Sequence, residues 1–428
     1  MKRSELPVRA SGVGPDRTGP PAVGRRGRAL LLVLSGNMLL DAVEVSVVLI
    51  ALPTVAAEFG VSLPAVQWLM TGFALGFAAL LVLGSRLHVR FGRRRTYLAA
   101  MLVFAVASMV GGLAGGLTVL VVTRLVKGAC AALTAPAGLS IIAGVYPDGP
   151  RARRAVAVYA WFGAAGFTVG TLLAGTLLEA HWRLVFLAPA PVAVVLVVLA
   201  ARLLPADGAN RGWAPPGPGT PGPAAVRQSW LTGSFLRVTT AAGLLNGTYQ
   251  SLLVLVVVES QQDYGWRPWQ TAVSLLPACL PLALTAPVSG RFIARTGTSA
   301  PIAAGALAAL LGYLYYLWRP VGDSYPAAVL PALLMVGFAF VLSFAALNLR
   351  ATSTVAPAAR AVPLYQTGVQ VGTVVLLPLV CVLATGPGDV AARWLIVVAA
   401  AVGMAVTLVD LVWWGWGAAG RPGRPTRR

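Results

Sequence analysis

Ser85-Arg86-Leu87-His88-Val89-Arg90-Phe91-Gly92 returns 205 residues later as Gly290-Arg291-Phe292-Ile293-Ala294-Arg295-Thr296-Gly297. Both stretches read R-x-x-x-R-x-G, one after the second long apolar run of the chain and the other after the eighth. Chance supplies a single match this short, but the same place in each half is the mark of duplication. Six apolar runs lie within residues 29–204 and six within 234–416, each near the ~20 residues that a bilayer core requires. Residues 205–233, with the stretch PADGANRGWAPPGPGTPGPAAVRQS, are too dense in Pro and Gly to continue a helix and read as a flexible linker. The expected fold is an all-α polytopic membrane protein with 12 transmembrane helices in two six-helix bundles. Parallel repeats of this kind place a site at mid-membrane between the halves.

Composition narrows the class. The chain is 57% hydrophobic and 11% charged, with mean hydropathy +0.79, too little polar surface to cover a soluble domain. The net charge of +20 could suggest nucleic acid, but its distribution answers the question. Nearly all Lys and Arg lie in the tails and in the connections on one side, and Arg183, Arg267, Arg319 and Arg393 alone fall on the other. That asymmetry predicts a multi-pass cell-membrane protein with both termini cytoplasmic, and no nucleic-acid partner. Residues 1–28 and 417–428 read as basic cytoplasmic tails, the first of them disordered. The first apolar run has no small-residue cleavage site and reads as an uncleaved anchor. Cys130, Cys279 and Cys381 fall in separate runs, and His88 and His181 lack ligand spacing, so neither a disulfide framework nor a metal is expected. No P-loop, phosphate-cradling glycine loop or nucleophile elbow occurs, which points away from an enzyme and from a cofactor. Energy would come from an ion gradient or from the substrate's own, in a monomer embedded in the bilayer.

Charged residues inside the runs carry the functional signal. Of 33 basic side chains only Lys2 and Lys127 are lysines, and Lys127 lies within the apolar run Leu117–Tyr146, one turn after Arg124. The first run carries Asp41 and Glu44. Ionisable groups at membrane depth are costly, turn inward and find partners. Counted from the outer ends of their runs at 1.5 Å per residue, Glu44 and Lys127 both lie about 13–14 Å deep, Arg124 about 9 Å and Asp41 about 18 Å. The match predicts a Glu44–Lys127 pair. A desolvated lysine can approach neutrality where arginine stays charged, so Glu44 is expected to carry an exchangeable proton, with Arg124 and Lys127 setting its affinity. The plainer reading is a static ion-pair network that fixes helix register. A third makes Arg124 and Lys127 the site of an organic anion.

Weaker signals surround this cluster. Asn246, Tyr249 and Gln250 share a helical face in the seventh run, Asn348 lies in the tenth, and Gln366 and Gln370 are four apart in the eleventh. Polar groups avoid lipid, so these face inward, to touch substrate or to bond between helices. Gly72 and Gly76, Gly166 and Gly170, and Gly368 and Gly372 allow close helix packing. Trp318 with Tyr313, Tyr315 and Tyr316, and Trp413, Trp414 and Trp416, read as headgroup-belt anchors. Asp410 reads as interfacial and Glu259 as an external-loop acid.

With these residues in view, the chain resembles the major facilitator superfamily, nearest to its drug:proton antiporter branches, over almost its whole length beyond the N-terminal tail. The family signature after the second helix, G-x-L-x-D-R-x-G-R-K/R, falls on Ser85 to Arg94, with Val89 at the Asp position. The second copy has Ala294 there. The antiporter motif D-x-T-x-V-N-x-A-L-P, aligned on Ala51-Leu52-Pro53, puts its Asp on Glu44, and R-x-x-Q-G falls on Arg124-Leu125-Val126-Lys127-Gly128, with Lys127 for Gln. G-P-x-x-G-G falls on Gly170 to Gly175 with Thr171 for Pro. The resemblance implies a secondary transporter working by alternating access, with proton-coupled efflux of a small organic compound. It implies gating roles for Arg86, Arg90, Gly92, Arg93, Gly170, Gly175, Arg291 and Arg295. A permease for an organic anion, and a non-transporting receptor or scaffold retaining the fold, are the alternatives.

Overall fold

A computed structural model describes residues 24–146, 149–204, 232–319, 325–354, 358–384 and 390–419. The expected linker at 205–233 and both expected tails lie almost wholly outside the described residues. Among the described residues twelve helices are long and apolar enough to cross a membrane. In chain order they are α1 Arg25–Phe59, α2 Trp68–Phe91, α3 Arg93–Gly112, α4 Leu117–Val145, α5 Pro150–Ala180 and α6 Pro189–Leu203, the last reaching span length together with the turn Leu184–Leu187 before it. The second six are α7 Gly233–Gln262, α8 Leu276–Thr296, α9 Ser299–Trp318, α10 Leu330–Thr354, α11 Ala358–Leu383 and α12 Val390–Ala419. Among the described residues every other element is a turn or a short helical segment, of which Leu63–Val66 and Pro268–Ser274 lead into α2 and α8.

The repeated R-x-x-x-R-x-G is the same turn twice. Gly92 joins α2 to α3 at φ 87° and Gly297 joins α8 to α9 at φ 74°, a backbone region that disfavours any Cβ. Each glycine N–H closes the preceding helix, on the His88 carbonyl and on the Ile293 carbonyl. Arg86, Arg90, Arg291 and Arg295 are exposed around these turns, and Arg93 is half-buried.

Packing repeats as well. In the first half α1 crosses α5 where Gly166 and Gly170 sit against the backbone of Leu39 and Val43. In the second half α7 crosses α11 where Gly243 and Gly372 approach until a Cβ on either would meet the other helix's backbone. In the same way Gly76 and Gly128 bring α2 onto α4, and Gly337 brings α10 onto α8. Membrane helices gain no hydrophobic drive from lipid, so close backbone approach and dispersion hold such seams.

Two buried clusters show how the halves meet. One runs through both, joining Val47–Leu52 and Val55 of α1 to Leu252–Val257 of α7 and to Leu275 and Ala278 near the start of α8. Its part shared by the two halves lies toward the membrane end remote from the chain termini, and within the second half it continues to Phe235, Ile302 and Ala351 near the terminal end. The other, with Leu30, Tyr97, Phe104, Ile141 and Tyr159, belongs to the first half alone and lies nearer the terminal end. Across the seam, Gln261 Nε2 donates to the Ile50 carbonyl at 3.1 Å, Trp161 Nε1 donates to the Ala283 carbonyl at 3.1 Å, and Gly175 rests on Trp269 and Ala272. The remote end is thus sealed by continuous apolar packing, and Gly175, unlike Gly170, lies on the seam between the halves.

Two expectations about aromatic side chains need correction. Tyr313 and Tyr316 are fully buried, the first donating to Thr248 Oγ1 at 3.0 Å and the second to Glu259 Oε2 at 3.0 Å. They tie helices together rather than anchor in headgroups. Tyr315, Trp318 and Trp413 are exposed, as anchors must be, while the side chains of Trp414 and Trp416 lie outside the described residues.

Candidate functional site

Helix α1 carries Asp41 and Glu44 on one face, three residues apart, and α4 presents Arg124 and Lys127 with the same spacing. The structure brings three of the four into one contact. Arg124 Nη1 lies 2.5 Å from Glu44 Oε2, and Lys127 Nζ lies 2.6 Å from Glu44 Oε1. Each carboxylate oxygen therefore faces its own cation, and all three side chains are only 1% exposed. The arginine is reached as well as the lysine, although its Cα is one turn nearer the membrane end, because its fork spans that distance.

The two cations are held very differently. Arg124 also donates from Nη2 to the Glu44 carbonyl at 3.0 Å and from Nε to the Leu69 carbonyl at 2.9 Å, and its guanidinium lies 4.7 Å from the centre of the Phe73 ring. It is fixed on every side. Lys127 has the Glu44 oxygen and the Phe104 ring, 5.0 Å from Nζ to the ring centre. An ammonium has three donors on a flexible stem, so Lys127 is the adaptable member of the group.

Asp41 stands apart. Its Oδ2 accepts from Asn37 Nδ2 at 3.3 Å and from Thr134 Oγ1 at 3.4 Å, and no cation lies within ion-pair distance of it among the described residues. It keeps 8% exposure against 1% for the other three. Asn37 and Thr134 were absent from the sequence-derived candidates. The i, i+4 relation of Asn37 to Asp41 was a signal available to find the first.

The remaining candidates divide. Asn246 Nδ2 donates to Thr373 Oγ1 at 2.7 Å, so it is a bond between α7 and α11. The Tyr249 hydroxyl donates to the Ala278 carbonyl at 3.2 Å, and its ring packs 4.5 Å from Phe340 and 6.4 Å from Phe167 of the other half. Gln250 is buried with Oε1 unpartnered. Asn348, Gln366 and Gln370 are half-buried on α10 and α11.

Two further charged clusters were not foreseen in these roles. Asp410 accepts from Arg350 at 2.9 Å, from Arg237 Nε at 3.2 Å and from Ser234 Oγ at 2.8 Å, and is buried rather than interfacial. Arg350 is buried inside α10 because that helix runs to Thr354, past the apolar run that hydropathy delimits. Glu259 lies within α7, not in a loop, and accepts from Tyr316, Tyr264 and Arg319. Among the described residues no group of His, Cys, Asp and Glu could hold a metal ion.

The chain is similar to known membrane proteins. A family model described as Major Facilitator Superfamily matches residues 34–375. The probable actinorhodin transporter of Streptomyces coelicolor is 33% identical over 279 residues, covering 63% of this chain and 43% of that protein. The cephamycin export protein CmcT of Amycolatopsis lactamdurans is 33% identical over 267 residues, covering 62% and 50%. The match thus spans half or less of these relatives' own length. Among solved structures, the nucleoside transporter NupG superposes with TM-score 0.69 at 10% identity, over 90% of this chain and 99% of that one. A bacterial homolog of the human lysosomal transporter Spinster, inward-facing and unoccupied, gives TM-score 0.64 at 18% identity, over 91% and 95%. At such identities the two structures attest the fold alone.

Proposed function

The chain belongs to the major facilitator superfamily, and we propose that it exports a small organic compound across the cell membrane by alternating access, driven by protons. The observation that carries this reading is the carboxylate of Glu44 buried between two cations, on helices packed beside the seam where the two halves meet. Buried ionisable groups at membrane depth mark ion pathways, and a fold of two repeats works by rocking one against the other. Asymmetry of the basic residues supports cytoplasmic termini, with the opposite end of the bundle outside. Export of natural products is favoured by relatives named for actinorhodin, cephamycin and puromycin. The organic-anion reading is less favoured, since both cations lie against Glu44.

A sensitive host expressing the chain should accumulate less puromycin or actinorhodin than a host with the empty vector, and a protonophore should abolish the difference. Persistence of the difference after the proton gradient has collapsed would remove the coupling. Equal accumulation across the panel of actinorhodin, cephamycin, puromycin and tetracenomycin C would remove the natural-product reading.

A further inference from the structure

We propose that the exchangeable proton sits on Asp41 rather than on Glu44, and that Lys127 is a movable counter-ion which turns from Glu44 to Asp41 when that proton leaves. This deepens the reading of the same site as proton-coupled and rests on it for its physiological sense, though its test does not.

The first ground is the division of partners. Glu44 has a cation on each oxygen and a fixed guanidinium fork beside it. A proton arriving there must displace a buried charge pair, at several kcal/mol for the ion left alone. Asp41 lies one helical turn away with neutral donors only. Burial without a cation favours the neutral acid, and Asp41 is also the least enclosed of the four, at 8% against 1%.

The second ground is a set of polar atoms around Asp41 that lack partners. Among the described residues Asn37 Oδ1 and the Tyr97 hydroxyl are buried without a hydrogen-bond partner. In the orientation drawn, Asn37 donates to Asp41 through Nδ2. Turning that amide by 180° presents Oδ1 instead, an acceptor for the O–H of a protonated Asp41. The same side chain therefore serves either form. The groups facing Asp41 are Asn37 and Glu44 on α1, Tyr97 on α3, Cys130 and Thr134 on α4, and Tyr159 on α5, with Lys127 one turn away against Glu44. Apart from Glu44 and Lys127, none of these is charged near neutral pH.

The third ground is the choice of Lys127. Arg124 cannot move without breaking bonds to two backbone carbonyls, whereas the Lys127 ammonium spends one contact on Glu44. Asp41 and Glu44 differ in height by about 4.5 Å, within the sweep of a four-carbon stem. Loss of the proton breaks the Asp41 O–H bond, sends the proton to water, and leaves a carboxylate that Lys127 can meet. Arg124 then holds Glu44 alone. The charges of the four side chains cancel in that state, and binding a proton returns Lys127 to Glu44.

Infrared difference spectroscopy of the full chain in lipid reads this without any substrate. A carboxylic-acid carbonyl band, shifted by deuterium exchange, should titrate in the wild type and vanish in Asp41→Asn. In Lys127→Gln it should persist to higher pH by at least about one unit, a tenfold rise in proton affinity, because no cation arrives to meet the carboxylate. In Glu44→Gln its midpoint should fall, because Lys127 is then free to pair with Asp41. A static network shifts the midpoint in the same directions by charge removal alone, so the discriminating signal is that of Lys127 itself. Its ammonium N–H band should change together with the carbonyl band in the wild type and stay constant in Asp41→Asn. Survival of the band in Asp41→Asn overturns the assignment. Equal midpoints in Lys127→Gln and the wild type overturn the movable counter-ion. Monodisperse protein on size exclusion qualifies each variant, and Asp41→Glu, which should keep a band at a changed position, serves where Asp41→Asn does not fold. These outcomes stand whether or not the transport assays succeed.

Discussion

Arg124→Met is expected to destabilise the protein by about 3–5 kcal/mol, the range for breaking one partner out of a buried ion pair. Four interactions go at once: the ion pair to Glu44, the bonds to the Glu44 and Leu69 carbonyls, and the stacking on Phe73. Glu44 keeps Lys127, but the two carbonyls are left in a low-dielectric interior without donors, which adds to the penalty. Thermal unfolding in detergent micelles, read by loss of the monodisperse peak, measures the change. Arg124→Lys should recover little of it, since an ammonium cannot supply a fork to three acceptors. Replacing Glu44, Arg124 and Lys127 together by Met should restore stability to within ~1 kcal/mol of the wild type, because a well-packed apolar set often matches a buried ionic one. It should not restore proton-driven export. An Arg124→Met protein as stable as the wild type would show that the cluster contributes nothing to holding α1, α2 and α4 together.

The part of this cluster that was legible in the sequence was the part governed by helix geometry. Glu44 and Lys127 stand about nine residues from the outer ends of their runs, so counting residues from the membrane boundary was enough to pair them. Arg124 was counted as too shallow, because depth was taken at Cα and the reach of a guanidinium was left out. Arg350 was missed for a related reason. Hydropathy ends the tenth run where the polar Asn348 and Arg350 begin, whereas the helix continues to Thr354 and delivers Arg350 to Asp410, sixty residues on, between α10 and α12. Nothing local in the sequence joins those two residues. The same blindness placed Glu259 in a loop, since VVVES-QQD reads as a span ending in polar residues, and α7 carries through to Gln262. The repeat of R-x-x-x-R-x-G was readable because it encodes a backbone demand, positive φ at the glycine, which residue type reveals directly.

Gly128→Ala should remove both the fold's tight crossing and the site's geometry, through one added methyl group. A Cβ there would overlap the carbonyl of Phe73 on α2, and the reciprocal Gly76 would meet the carbonyl of Leu125 on α4. Both obstacles are backbone, so no side chain can turn aside. An ordinary overpacked core costs about 1–3 kcal/mol. Helix propensity returns up to ~1 kcal/mol for Gly to Ala. Because two helices must move apart along the whole crossing, the expected net loss exceeds the upper end of that range, at ~3 kcal/mol or more. Gly290→Ala, with nothing within 4 Å of its Cβ, is the control, and should be neutral or slightly stabilising. Gly76→Ala combined with Gly128→Ala should cost much less than the sum of the two, since a crossing already forced open accommodates the second methyl. The consequence for function follows from adjacency. Gly128 follows Lys127 directly, and Phe73 supplies both the carbonyl it touches and the ring beneath Arg124. Separating α2 from α4 therefore withdraws Arg124 from Leu69 and Phe73 at the same moment, so that the variant should lose proton-driven export even at temperatures where it remains folded. Export undiminished in a folded Gly128→Ala protein would mean that the reach of Arg124 to α2 is not part of the working site.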